Sequence, residues 1–181
     1  MEWLQALDEA VVLFIYNNIQ GGAFDAPVAF ITRLGDKGLL WIALTVVLIA
    51  LAIKNKKLRS MAFGCALALI LSAVVCNIIL KPVVMRVRPY DLLEIEIMVE
   101  RLHDFSFPSG HTSAAFAFAA AVWLNNRRYG IPAVAAAAVM GLTRLYLCVH
   151  FPTDVIGGAV TGWVCGAVAV YIVNKIMKKT A

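Results

Sequence analysis

The sequence predicts an all-α, polytopic membrane protein of about six transmembrane helices, built as one domain over residues 1–181. Three observations predict it. Hydrophobic residues make up 62% of the chain and charged ones 15%, whereas a soluble domain is about 45–50% apolar. The apolar residues gather in runs long enough to cross a bilayer. The basic residues sit at the ends of those runs, where membrane proteins keep them.

Taken in order, residues 3–19 carry Leu4, Leu7, Val11, Phe14 and Ile15 at helical spacing, with Asp8 and Glu9 among them. They fit a tilted first span or a helix lying at the interface, and the span reading brings the count to six. The run 38–53 is a span if Asp36 and Lys54 mark its ends. The runs 60–80, 131–147 and 155–173 are each long enough alone. The run 112–124 is short, but Ser109 to Asn125 can form one helix whose first turn lies in a polar site. Gly157, Gly158, Gly162 and Gly166 in the last run suit close helix packing.

Charge sets the orientation. Lys54, Lys56, Lys57 and Arg59, then Arg127 and Arg128, then Lys175, Lys178 and Lys179 all fall on one side of a six-span layout. The positive-inside rule makes that side cytoplasmic, with both termini on it, in a bacterial type of cytoplasmic membrane. The net charge of +5 is thereby accounted for without nucleic acid. Cys65, Cys76, Cys148 and Cys165 form no CxxC pair and read as apolar packing residues. Residues 1–19 lack the basic start of a signal peptide.

Three clusters then land together on the opposite, outer side. They are Lys81-x6-Arg88-Pro89, Pro108-Ser109-Gly110-His111 and Arg144-x5-His150-x3-Asp154. Ser109-Gly110 opens a helix, whose unpaired N–H groups and dipole suit a phosphate; ordinary N-capping by Ser109 is the alternative. His111, in the first turn, can act as an acid. Lys81, Arg88 and Arg144 can spread charge over phosphoryl oxygens. Arg144 lies within an apolar stretch, where an ionisable group is a functional candidate. His150 and Asp154 have the spacing of a nucleophile and the carboxylate that orients it. Asp154 can also cap the last helix. Arg86 and Arg101 read as lipid-headgroup or loop contacts, and His103 receives no role. No H-x3-H or HExxH pair supports a metal.

In this order, the clusters resemble the type-2 phosphatidic acid phosphatase superfamily, which also contains the vanadium haloperoxidases. Its signature is K-x6-R-P, P-S-G-H and S-R-x5-H-x3-D, and Thr143 stands here where serine is usual. The resemblance implies an active site at the outer membrane interface and a reaction without metal or other cofactor. His150 would form a phosphohistidine, with Asp154 orienting it and His111 protonating the leaving oxygen. Lys81, Arg88, Ser109, Gly110 and Arg144 would hold the phosphoryl group. The implied substrate is a lipid phosphate: undecaprenyl pyrophosphate in carrier recycling for the cell wall, or alternatively phosphatidylglycerophosphate or phosphatidic acid. A non-catalytic lipid-phosphate binder or transporter is the rival of another class. The loop 90–107, with Asp91, Glu94, Glu96, Glu100 and Asp104, either covers the head group or is acidic to stay in water, the simpler reading.

Overall fold

The structure is a computed structural model that describes residues 2–179. Among these residues it is all-helical, without strands. Helices α1 (Glu2–Asn18) and α2 (Asp25–Leu34) precede a tight turn and α3 (Leu39–Lys54). Helix α4 (Arg59–Ala73) runs on through a π-helical stretch, Val74–Leu80, into the single turn α5 (Lys81–Val84). The short α6 (Pro89–Leu92) and a long loop lead to α7 (Gly110–Asn125), α8 (Arg127–Tyr146) and α9 (Pro152–Lys179).

The short run 112–124 becomes the centre of the bundle. Helix α7 packs against α9, α8 and α4, and its Ala115, Ala117, Ala119, Ala120 and Ala121 are fully buried. Small residues let these helices approach closely. At Gly162 of α9, an added Cβ would lie 2.2 Å from the Ser113 carbonyl oxygen of α7. Gly158, Gly162 and Gly166 therefore act as the sequence predicts, by bringing two backbones together, whereas Gly157 makes room for the Phe107 ring.

Among the described residues, three helical stretches are long and apolar enough to cross a membrane: Asp36–Lys54, Lys56–Leu92 and Pro152–Lys179. Their outer faces are apolar, with Ile42, Val46, Ile53, Ile70 and Val164 exposed. Such continuous apolar exposure requires lipid rather than water. The basic segments gather at one end of the bundle. There the Ser60 hydroxyl donates to Asn174 at 2.6 Å, and Gly64 lies beside Asn125. The start of α7 and the α8–α9 turn form the other end.

Helix α1 packs across the end of the bundle that holds the α8–α9 turn. Asp8 accepts from the Thr153 N–H at 3.0 Å. The Cys148 thiol donates to the Val12 carbonyl at 3.8 Å, and Gln20, just past the helix, bonds the Tyr146 carbonyl. These residues cover roughly 15 Å of chain, yet their partners on α8 and α9 are confined to the last residue of α8, the first turn of α9 and the turn between, with Arg86 also beside Asp8. A span running beside the bundle would meet successive turns of α8 or α9. The α1 face opposite Asp8 and Val12 is bare and apolar, at Trp3, Leu7 and Phe14, as in a helix lying at a lipid surface.

Helix α2 was not expected. Ten residues are too few for a span, and hydropathy alone does not detect it. It leans on α8, where the Tyr146 hydroxyl donates to Asp25 at 2.5 Å.

Candidate active site

The three clusters converge at the end opposite the basic loops. A cavity of about 350 Å³ is lined there by Lys81, Arg88, Gly110, His111 and His150, together with Lys37, Asn77 and Asp104. Its other wall is apolar, with Ile42 of α3, Leu69 of α4 and Ala114 of α7. Ser109, Arg144 and Asp154 are buried just behind these residues and do not line it.

The π-helical stretch delivers Lys81. One extra residue per turn is a local device common at functional sites. Lys81 is 5% exposed and Arg88 2% exposed, so both charges are held inside the protein. Arg88 Nη1 donates to the Val149 carbonyl at 2.8 Å and lies 3.3 Å from His150 Nε2. Gly110 places the α7 backbone close to them: an added Cβ would lie 4.0 Å from Lys81 Nζ and 3.2 Å from Asn77 Oδ1.

His150 sits in the α8–α9 turn at 1% exposure. Its Nδ1 lies 3.6 Å from Asp154 Oδ2 and 3.4 Å from the Ser106 hydroxyl. Ser106 donates to that same carboxylate oxygen at 2.5 Å. The Nδ1 side is thus engaged, and Nε2 faces the cavity side with its lone pair. Burial pushes the His150 pKa down to about 3, helped by the charges of Arg88 and Arg144 and opposed by Asp154. The ring is neutral at pH 7, the form a nucleophile needs.

Asp154 is the third residue of α9 and so not its N-cap. From within the first turn its carboxylate reaches back to accept from the Phe151 N–H at 2.9 Å, and it faces His150. Ser109 stands at the N-cap position of α7, but its side chain makes no cap bond and instead accepts from Thr112 at 3.0 Å. The Thr143 hydroxyl donates to the Met140 carbonyl at 2.7 Å, so it serves its own helix. His111 Nε2 lies 3.0 Å from Asp36 Oδ1, in the turn before α3. Arg144 bonds Thr32 of α2 through Nη1, and its buried Nε has no partner.

Arg86 is no headgroup contact. Its Nη1 donates to Asp154 Oδ1 at 2.6 Å and its Nη2 to Asp8 Oδ2 at 2.6 Å, so it braces the carboxylate behind His150. Asp104 does not merely keep its loop in water. It pairs with Lys81 and, at 2.6 Å, with Arg88. Arg101 remains a loop contact, 3.2 Å from Asp91. Ser106, Asp36, Asp8 and Thr32 also escape the sequence reading. Each lies outside the spaced clusters, and only folding brings it near them.

Residues 61–178 match the PAP2 superfamily. The chain belongs to that superfamily. This PAP2 protein is 30% identical over 190 residues to a lipid A 4'-phosphatase of Bacteroides thetaiotaomicron, covering 97% of this chain and 81% of that protein. It is 28% identical over 127 residues to undecaprenyl-diphosphatase BcrC of Bacillus subtilis, covering 60% of this chain and 66% of that protein, just under two thirds. Its structure superposes on a transmembrane PAP2-type phosphatidylglycerolphosphate phosphatase of Bacillus subtilis with a TM-score of 0.77 at 25% identity, over 100% of this chain and 89% of the other. The named relatives are phosphatases, and this PAP2 chain is of the same enzyme class.

Proposed function

We propose that this chain removes a phosphoryl group from a membrane lipid without metal, through a phosphohistidine on His150, and that its substrate is an isoprenoid diphosphate such as undecaprenyl pyrophosphate. One observation carries the reading: His150, His111, Lys81 and Arg88 face a single cavity whose other wall is apolar. A charged head fits the polar end and a tail leaves along the wall between α3, α4 and α7.

In the first step the His150 Nε2 lone pair forms a bond to phosphorus. The bond from phosphorus to the leaving oxygen breaks, and His111 in its acid form gives that oxygen a proton. The new imidazolium keeps its Nδ1 proton beside Asp154 and Ser106. Lys81 and Arg88 stabilise the charge on the phosphoryl oxygens, with Arg144 behind them, where electrostatic stabilisation contributes most to phosphoryl transfer. In the second step water attacks phosphorus while His111, now a base, takes its proton. The P–N bond breaks, its electron pair returns to Nε2, and phosphate leaves.

The relation to an undecaprenyl-diphosphatase supports the isoprenoid. A glycerolipid phosphate is the second reading, supported by the likeness to a phosphatidylglycerolphosphate phosphatase over the whole chain. Purified protein in detergent with EDTA is expected to release phosphate from undecaprenyl pyrophosphate faster than from phosphatidylglycerophosphate or phosphatidic acid. Preference for a glycerolipid would move the role to phospholipid synthesis. Turnover that EDTA abolishes would overturn the metal-free mechanism, and no turnover of any lipid would favour a binding or transport role.

The placement of α1 leads us to propose five crossings, with the basic loops and the C-terminus cytoplasmic, and the site and the N-terminus outside. The four native cysteines are buried, so introduced ones report cleanly. Glu100→Cys and Gln5→Cys are expected to react with a membrane-impermeant maleimide in intact cells, and Lys56→Cys only after lysis. Protection of Gln5→Cys alone would restore a sixth span. Inversion of the whole pattern would put the site inside.

A further inference from the structure

The two buried cations that line the cavity already hold an anion of the chain's own. Asp104 Oδ1 takes Arg88 Nη2 at 2.6 Å, and Oδ2 takes Lys81 Nζ. The Asp104 main-chain carbonyl also accepts from Arg88 Nε at 2.8 Å. One carboxylate thus bridges both cations, as two oxygens of a phosphoryl group would. The exposures show which partner faces outward. The side chains of Lys81 and Arg88 are 6% and 1% exposed, that of Asp104 53%. The carboxylate lines the same cavity on the outward side of the cations. Burial works to raise the Asp104 pKa, but its bonds and proximity to Lys81 and Arg88 outweigh this and hold it at about 2, so it is ionised throughout the working range.

A bilayer presents a difficulty that this contact answers. Its phosphodiester head groups are anions at very high local concentration, and an uncovered pair of buried cations would bind them. A phosphodiester carries one charge on its phosphate, whereas a phosphomonoester or diphosphate terminus can carry two. We propose that Asp104 is an internal counter-anion, displaced by substrate, that makes the Lys81–Arg88 cradle admit only phosphate termini able to outcompete a carboxylate, and that it returns to expel product phosphate. The inference rests on the reading that Lys81 and Arg88 receive the phosphoryl group. It makes Asp104 a specificity-determining residue, whose removal tightens anion binding.

The test compares the wild type with Asp104→Asn and Asp104→Ser, both as the full chain in detergent and as monodisperse protein. Asp91→Asn removes a charge from the same loop at its Arg101 pair and serves as the control. Two probes are used: inorganic phosphate, and phosphatidylglycerol in mixed micelles. Phosphate binding is also measured in a His150→Ala background by calorimetry, independently of turnover. Both Asp104 variants are expected to bind inorganic phosphate about tenfold more tightly, the change expected for losing one charge-assisted competitor. They are also expected to become inhibited by phosphatidylglycerol, with Asp91→Asn unchanged. Unchanged or weaker phosphate binding in either folded Asp104 variant would overturn the inference, as would the same tightening in Asp91→Asn. Tighter phosphate binding in a protein that turns over no lipid would uphold the inference and sink the phosphatase reading. Lipid turnover without the tightening would do the opposite.

Discussion

His150→Ala is expected to abolish lipid dephosphorylation, with kcat falling by at least about four orders of magnitude, as when a covalent nucleophile is removed elsewhere. The geometry leaves no substitute. His111 lines the same cavity, but its Nε2 is engaged by Asp36 at 3.0 Å. Asp154 is wholly buried and accepts from Ser106, Phe151 and Arg86. A stalled reaction with ³²P-labelled substrate, quenched in base to preserve an N–P bond, should trap label on the wild type and none on the variant. The variant should elute from size exclusion as the wild type does, because the helix-to-helix packing of α4, α7, α8 and α9 lies outside the α8–α9 turn that carries His150. Label on His150→Ala protein, or turnover near the wild-type rate, would remove His150 from the mechanism.

Arg86→Met is expected to lower kcat by about two orders of magnitude with little change in KM, a loss typical of groups that orient a reacting side chain. Arg86 joins two buried carboxylates, Asp154 at 0% and Asp8 at 2% exposure, and its guanidinium lies 4.1 Å over the Phe151 ring. Taking away its charge leaves both carboxylates without that partner. Breaking a buried pair in this way costs about 3–5 kcal/mol when nothing relaxes. Asp154 is then free to turn from His150 or to take up a proton. Arg86→Lys keeps one charge but not the fork that reaches both acids, so it should recover part of kcat. A purely structural role would lower the amount of folded protein and leave kcat per folded molecule intact. That result, or failure of lysine to recover any rate, would remove Arg86 from the positioning role.

These two residues show what was legible in the chain and what was not. His150, His111, Lys81 and Arg88 stand at fixed spacings within short segments. The chemistry of their side chains narrows the choices even before they meet. Arg86 lies two residues from Arg88 and carries the same charge, so spacing gives no means of telling a brace from a headgroup contact. Its partner Asp8 is 78 positions away in α1. The same limit leaves residues 3–19 between a span and an interfacial helix. Their helical periodicity was plain, and α1 formed as expected. Periodicity, however, fixes only which face is apolar, and both a span and an interfacial helix have such a face.

The apolar runs determined the helices α3, α4, α7, α8 and α9 by themselves. A segment of that hydropathy must satisfy its backbone hydrogen bonds internally and turn its side chains to lipid or to each other. The basic segments at their ends likewise determined that the clusters lie at one end of the bundle. Only the tertiary structure decided that α1 lies across that end. It alone also assigned Asp104 to Lys81 and Arg88, and Ser106 and Arg86 to Asp154. Ion pairs and hydrogen bonds between distant segments depend on where the packed helices place a few ångströms of backbone, and no local pattern in the sequence encodes that distance.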